Sequence, residues 1–313
     1  MFNARGIFTG ITEAQKAGVP AALVTITHVS GSSVRHPGTH MAVTAEGAMF
    51  GSLSGGCIEH AVIAEARQAI ENGKPHCVRY GRGSPFIDIR LPCGGSVDLL
   101  INPLASERNI GRDLTSMLAR RRPFALRLPR HEGQPEVGGE LPEGRVAIED
   151  DFIVVRHSPP LRLVIAGHGA TVDCLRDLAL ASDIETQVFS PDEQQIERSL
   201  AAGAAATWLR TSGSGLPLSL DHRTAFAMLF HDHDWEPSLL AGALDSPAFY
   251  IGAMGSRKTH AERCERLRAL GVGKADMERI VAPIGLIPSL RDPETLAISV
   301  LAQVVDGFNR LPV

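Results

Sequence analysis

The chain reads as an α/β protein, with a Rossmann-like parallel sheet as its C-terminal domain and a smaller α+β domain before it. Three observations predict this. From Leu161 onward, short apolar runs alternate with stretches of helical periodicity, the pattern of a parallel sheet covered by helices on both faces. The first of those runs ends in Gly167-His-Gly169, paired glycines where a strand turns into a helix. Upstream, an apolar-alternating run folds back on itself, as antiparallel strands do. The expected divisions are residues 1–104, a connector over 105–160, and 161–313.

Met1 to Pro20 spaces Phe2, Ile7, Phe8 and Ile11 as an amphipathic helix does, and the included Glu13 is foreign to a signal peptide. Thr39 to Phe50 predicts a hairpin with Glu46-Gly47 at its turn. Its second strand leads through Gly51-Ser-Leu-Ser-Gly-Gly-Cys-Ile-Glu59 into a helix that starts near Cys57 and covers His60 to Asn72. Ser96 to Ile101 predicts another strand. The connector is rich in Arg, Pro, Gly and Glu; Pro123 to Leu128 and Phe152 to Val155 predict edge strands in it, and Ala119-Arg-Arg-Arg-Pro123 a solvated helix end. The C-terminal alternation runs Leu161 to Ala166, helix Ala170 to Ala181, Glu185 to Phe189, helix Pro191 to Ala202, Ala225 to Phe230, Ala248 to Ile251 and helix Arg257 to Leu270.

Composition excludes some classes of function. At 313 residues, 44% hydrophobic and 21% charged, the chain buries an ordinary core, and no run approaches the roughly 18 apolar residues of a membrane span. Thirty-one basic against 35 acidic residues leave a net charge of −4, so there is no basic surplus for nucleic acid. Five cysteines without a compact spacing pattern point to a reducing compartment, with the cytoplasm as the expectation.

The chemistry gathers at two cysteine elbows. Gly51, Gly55 and Gly56 let the loop before the first-domain helix bring backbone N–H groups close to a ligand, and a helix N-terminus leaves donors unpaired. An anion such as a phosphate suits that place, and a thiolate at Cys57 would be favoured by the same partial positive charge. The alternative is a tight turn in which Cys57 packs as a small apolar residue. Cys93 opens a similar elbow, Leu91-Pro-Cys-Gly-Gly95, 36 residues later, a spacing that matches neither a zinc ribbon nor a thioredoxin-type pair. Val29-Ser-Gly-Ser-Ser-Val-Arg-His-Pro-Gly38 adds hydroxyls and the Arg35 guanidinium, suited to an oxyanion or to an ordinary surface ion pair. Cys77, Cys174 and Cys264 read as packing residues.

In the C-terminal part the fingerprint is incomplete. Counting G-x-G-x-x-G from Gly167 puts Val172 at the third glycine position, and Ser190 rather than an acid closes the second strand, with Asp192 two residues on. Gly167 and Gly169 thus make NAD or NADP a weak expectation. His231-Asp-His-Asp-Trp235 invites a metal reading and a hydrogen-bonded loop reading alike. Ser256 and Arg257 open a helix after a strand and offer an anion site or a helix cap.

Gly31-Ser-Ser-Val-Arg-His-Pro-Gly-Thr-His-Met-Ala-Val43, Gly51 to Glu59 and Leu91 to Gly95 together resemble the N-terminal domain of the XdhC/CoxI family, accessory proteins of xanthine dehydrogenase and related molybdenum hydroxylases. Phe249 to His260, Arg279-Ile-Val-Ala-Pro-Ile-Gly-Leu286 and Asp292-Pro-Glu-Thr-Leu-Ala-Ile-Ser299 resemble the same family in the same order; Ile287-Pro-Ser-Leu-Arg291 departs from it. The resemblance implies a carrier rather than an enzyme. Such a protein binds the molybdenum cofactor (molybdopterin), presents it for sulfuration by a cysteine desulfurase, and hands it to the apo-enzyme, commonly as a homodimer. On that reading Cys57 and Cys93 are the candidate molybdenum contacts. Arg35, Ser54, Gly55, Gly56, Glu59 and Gly94 complete the first-domain site, and Gly167, Gly169, Ser256 and Arg257 are candidates in the second. An NAD(P)-dependent oxidoreductase is the alternative, which leaves both cysteine elbows unexplained.

Overall fold

The structure is a computed structural model that describes residues 4–31, 35–84, 94–213, 215–230, 234–287 and 290–312. It divides into two compact units, 1–159 and 160–312. Among the described residues no helix is long and apolar enough to cross a membrane.

The first unit begins with α1 (Ala4–Lys16), whose Ile7, Phe8 and Ile11 are buried along one stripe while Lys16 stands in the last turn. Then come β1 (Ala21–Ser30), β2 (His40–Thr44), β3 (Met49–Phe50), α2 (Glu59–Asn72), β4 (His76–Gly81) and β5 (Ser96–Leu104). These strands form a five-stranded antiparallel sheet in the order β3-β2-β1-β5-β4. The predicted hairpin is β2–β3, with Ala42 opposite Phe50 and Gly47 in the turn at φ 91°. One face of the sheet packs on α2 through Val24, Ile26, Met41, Val62, Ala66 and Leu99, and the other on α1.

The stretch 105–159 builds structure of its own. It forms α3 (Ile110–Ala119), β6 (Phe124–Pro129), β7 (Glu136–Val137), β8 (Val146–Ile148) and β9 (Phe152–His157). Its four-stranded sheet has the order β7-β6-β9-β8, so β6 and β9 are the inner pair rather than the edge strands their short apolar runs predict. The reason is burial on the sheet face: Leu126, Leu128, Ile153 and Val155 share one apolar core with Phe8, Ile11 and Leu23. A neutral imidazole pair joins the two sheets, His40 Nε2 lying 3.1 Å from His157 Nε2, with His40 Nδ1 held by Thr25 Oγ1 at 2.8 Å and Phe124 stacked on His157. Burial holds both well below the ordinary histidine value, His157 down to about 4, and the neighbouring ring lowers His40 further.

The second unit alternates β10 (Arg162–Gly167), α4 (Ala170–Ala181), β11 (Glu185–Ser190), α5 (Glu193–Ala201), β12 (Ala205–Trp208), β13 (Thr224–Leu229), α6 (Glu236–Leu244), β14 (Tyr250–Ala253), α7 (Arg257–Ala269), α8 (Lys274–Met277), β15 (Ile280–Val281) and α9 (Pro293–Asn309). All six strands pair in parallel in the order β12-β11-β10-β13-β14-β15. Strand order reverses between β10 and β13, which is where open α/β sheets form their crevice. Continuous burial along β10 and β13 follows from helices covering both faces, seen as two cores, one around Phe226 and Leu240 and one around Leu163 and Val300.

Candidate functional site

The loop between β3 and α2 is built around one carboxylate. Glu59 is the first residue of α2 and is 5% exposed. Its Oε1 accepts from Ser52 Oγ (2.8 Å), Leu53 N (3.2 Å) and Ser54 N (2.9 Å). Its Oε2 accepts from Ser54 Oγ (2.5 Å), Gly56 N (2.9 Å) and Ile58 N (3.2 Å). Gly55 N donates to Ser52 Oγ, and Cys57 N to Ser54 Oγ. Every N–H from Leu53 to Ile58 is therefore bonded inside the loop. Burial alone would push the Glu59 carboxyl up, but the Ser54 and Ser52 hydroxyls and the Ser54 amide bring it down to about 2.

This corrects the expectation of an open anion cradle. The glycine loop ahead of the helix carries the expected donors, but the chain supplies its own carboxylate and two serine hydroxyls to them. Gly56, at φ 117°, is held in a conformation that L side chains rarely adopt, and that turn aims its N–H at Glu59. What the loop presents outward is the Cys57 thiol, which is exposed and two residues ahead of the helix, so it does not pack as a small apolar residue. Cys77 is likewise exposed, on edge strand β4, whereas Cys174 and Cys264 are half-buried.

The first sheet brings described residues of two further segments together. Ser30 at the end of β1 pairs with Ser96 at the start of β5, so Gly31 lies beside Gly95. A side chain on Gly31 would come within 3.1 Å of Gly95 Cα. Gly94, exposed and at φ 66°, belongs to this corner. Arg35 follows on the same loop; burial lowers its pKa, and it lies close enough to Glu59 for the carboxylate to raise it in part. Arg35, Ser54, Gly55, Gly56, Cys57, Glu59 and Gly94 thus come from three loops around the ends of β1, β3 and β5. Cys93 lies outside the described residues.

In the second unit Gly167 ends β10, where a side chain would strike Leu229 O at 2.7 Å, so the glycine serves close backbone approach to β13. Gly169 N, the donor that would face a pyrophosphate, donates to Gln195 Oε1 at 2.9 Å. Gln195 is buried on α5; its Nε2 donates to Asp173 at 2.7 Å, and Arg198 donates to both residues. Val172 is buried in the core, and Asp192 caps α5 by accepting from Gln194 N. Ser256 caps α7, its Oγ accepting from Thr259 N at 3.1 Å, and Arg257 follows exposed. Residues 231–233 lie outside the described set, and no group of three or more metal-ligating side chains occurs within it.

Sequence reading missed the partners rather than the positions. Gln195 and Asp173 carry no motif, since they meet only when α4 and α5 pack. Glu59 carried a signal: it stands three residues after Gly56, the spacing at which an acid reaches back to the N–H before a helix.

Residues 163–304 match the family model described as the XdhC Rossmann domain, and residues 14–81 match that of the XdhC and CoxI family. The chain is 33% identical over 301 residues to the molybdenum cofactor insertion chaperone PaoD of Escherichia coli, spanning 96% of this chain and 87% of that protein. It is 24% identical to a probable xanthine dehydrogenase component of Bacillus subtilis, over 94% of both chains. A crystal structure described as that of a xanthine dehydrogenase from Bacillus halodurans superposes with a TM-score of 0.76 at 22% identity, covering 96% of each chain, which shows a shared fold.

Proposed function

We propose that this chain, which belongs to the XdhC and CoxI family, is an accessory protein that binds the molybdenum cofactor as its cargo, supports its sulfuration and delivers it to xanthine dehydrogenase or a related molybdenum hydroxylase. Kinship with a molybdenum cofactor insertion chaperone supports the accessory role. The observation that carries the site assignment is the exposed Cys57 thiol on a loop immobilised by Glu59.

The donor set suits the cargo. A thiol is a soft ligand for a sulfide-bearing metal centre. Because the amides of the loop are committed to Glu59 and to the Ser52 and Ser54 hydroxyls, the group that would meet the cofactor's phosphate is the Arg35 guanidinium, whose fork matches a phosphate. A loop fixed before binding loses little further entropy when it takes up a ligand. Redox chemistry belongs to the cofactor in its recipient enzyme, and this chain contributes binding and orientation. A cysteine desulfurase and a second copy of the chain are the expected partners. A dinucleotide role for the second unit has less support, since Gly169 N and Asp192 are both bonded within the chain.

The test is anaerobic mixing of purified protein with molybdenum cofactor, followed by molybdenum and pterin quantification in the protein fraction. Wild type retains both, and Cys57→Ala retains about tenfold less with an unchanged circular dichroism spectrum. Equal retention by a folded Cys57→Ala protein would overturn the site.

A further inference from the structure

A groove of about 610 Å³ runs between α3 and the edge strand β7, within the size range of ligand sites and far from the Cys57 loop in the chain. One wall is helical, with Asn109, Asp113, Ser116 and Arg120 at successive turns. The other is Pro135 to Val137.

The wall formed by β7 has an open hydrogen-bonding side. β7 is the last strand of its sheet, and it pairs with β6 through Arg127↔Glu136 and Leu126↔Val137. In an antiparallel pair, successive residues turn their N–H and C=O alternately toward and away from the partner. Gly138 N donates to Ala125 O of the neighbouring strand segment, which places Glu136 in the inward set and Val137 in the outward one. The Val137 N–H and C=O have no partner among the described residues, and Val137 lines the groove.

Charge indicates what would pair there. The chain as a whole carries −4, yet Arg108, Arg112, Arg120 and Arg122 cluster around α3, and none of them forms an ion pair among the described residues. Arg108 and Arg120 stand at the two ends of the groove, roughly 18 Å apart at 1.5 Å per residue. Asp113 and Glu136 lie between them, so a second acid at the middle of a bound segment is disfavoured. Carboxylates six residues apart on an extended strand are separated by about 20 Å and share one face.

We propose that this groove takes an extended segment of a partner protein, added to the edge of β7 through Val137, with an acidic residue at each end held by Arg108 and Arg120. Backbone pairing supplies affinity, and the two guanidinium groups supply register and sign. The inference stands independently of the cofactor reading.

Fluorescence anisotropy with a labelled heptapeptide, Glu-Val-Thr-Ser-Thr-Val-Glu, tests it on the full chain at low salt, beside the same peptide with Lys at both ends. The acidic peptide binds; Arg108→Glu with Arg120→Glu weakens it at least about tenfold, as does Val137→Pro, which deletes the outward N–H and spares the inward ladder. Circular dichroism verifies that each variant is folded. Absence of binding, equal binding of the Lys peptide, or indifference to Val137→Pro would each overturn the proposal. So would sedimentation showing a dimer that the Arg108→Glu, Arg120→Glu variant abolishes, since the groove would then be occupied by a second copy.

Discussion

The turns into α2 and α4 are both glycine-bearing turns from a strand into a helix, and in both a side chain of the protein itself accepts from a glycine amide. They differ in the acceptor. At α2 it is a carboxylate one residue into the helix, which gathers six bonds from its own loop. At α4 it is a neutral amide, Gln195, reaching Gly169 from 26 residues away. A charged acceptor at a helix N-terminus both completes the hydrogen bonds and opposes the helix dipole, so it builds a rigid local loop and pre-empts a foreign anion. A neutral acceptor ties two helices together, and at α4 the charge that faces the dipole comes instead from Asp173 in the first turn of the helix.

Removing the acceptors separates the two cases most strongly. Glu59→Ala strands several donors and is expected to lower unfolding stability by roughly 3 to 4 kcal/mol, part of the loss being offset by water reaching the exposed side of the loop. Urea titration followed by far-UV circular dichroism measures it. An effect below about 1 kcal/mol would mean that the loop is held by its glycine geometry instead.

Acid distinguishes them next, because only one acceptor titrates. Glu59 has a folded value near 2 against an ordinary 4.5, so the stability it adds is complete above 4.5 and is lost as pH falls toward 2. The buried histidine pair adds an earlier step. His157 is near 4 in the fold against an ordinary 6.5, so the unfolded chain binds more protons between those values, and stability drops by roughly 2 kcal/mol as pH falls from 6.5 to 4. Both tryptophans, Trp208 and Trp235, lie in the second unit, so their fluorescence follows that unit while circular dichroism follows both. The first unit is expected to weaken in acid before the tryptophan signal moves. Coincident transitions at every pH would defeat that expectation.

The smallest effect is at α4. Gln195→Ala frees the Gly169 N–H, which water can then reach, and costs about 1 kcal/mol with little pH dependence. Calorimetry of wild type and variant at pH 5 and 7 checks both statements.

Elements whose signal is periodic were legible from the chain. The parallel sheet, the hairpin turning at Gly47 and helix Ala170–Ala181 follow from apolar spacing and from glycine, which are local properties. The position of the Cys57 elbow was legible for the same reason. The rank of β6 and β9 as inner strands was not, because an apolar run of six residues reads alike at an edge and in the middle of a small sheet.

By itself the sequence determined which segments could be strands or helices, where the backbone needed glycine, and that a cysteine would stand at a helix entrance. Only the tertiary structure decided which acceptor each exposed amide would find. Glu59 was near enough in the chain to be suspected, but Gln195 meets Gly169 through helix packing, and His40 meets His157 across 117 residues. A donor at a turn is satisfied by whatever acceptor folding brings within about 3 Å, and that distance is set by the packing of whole elements rather than by neighbours in the chain.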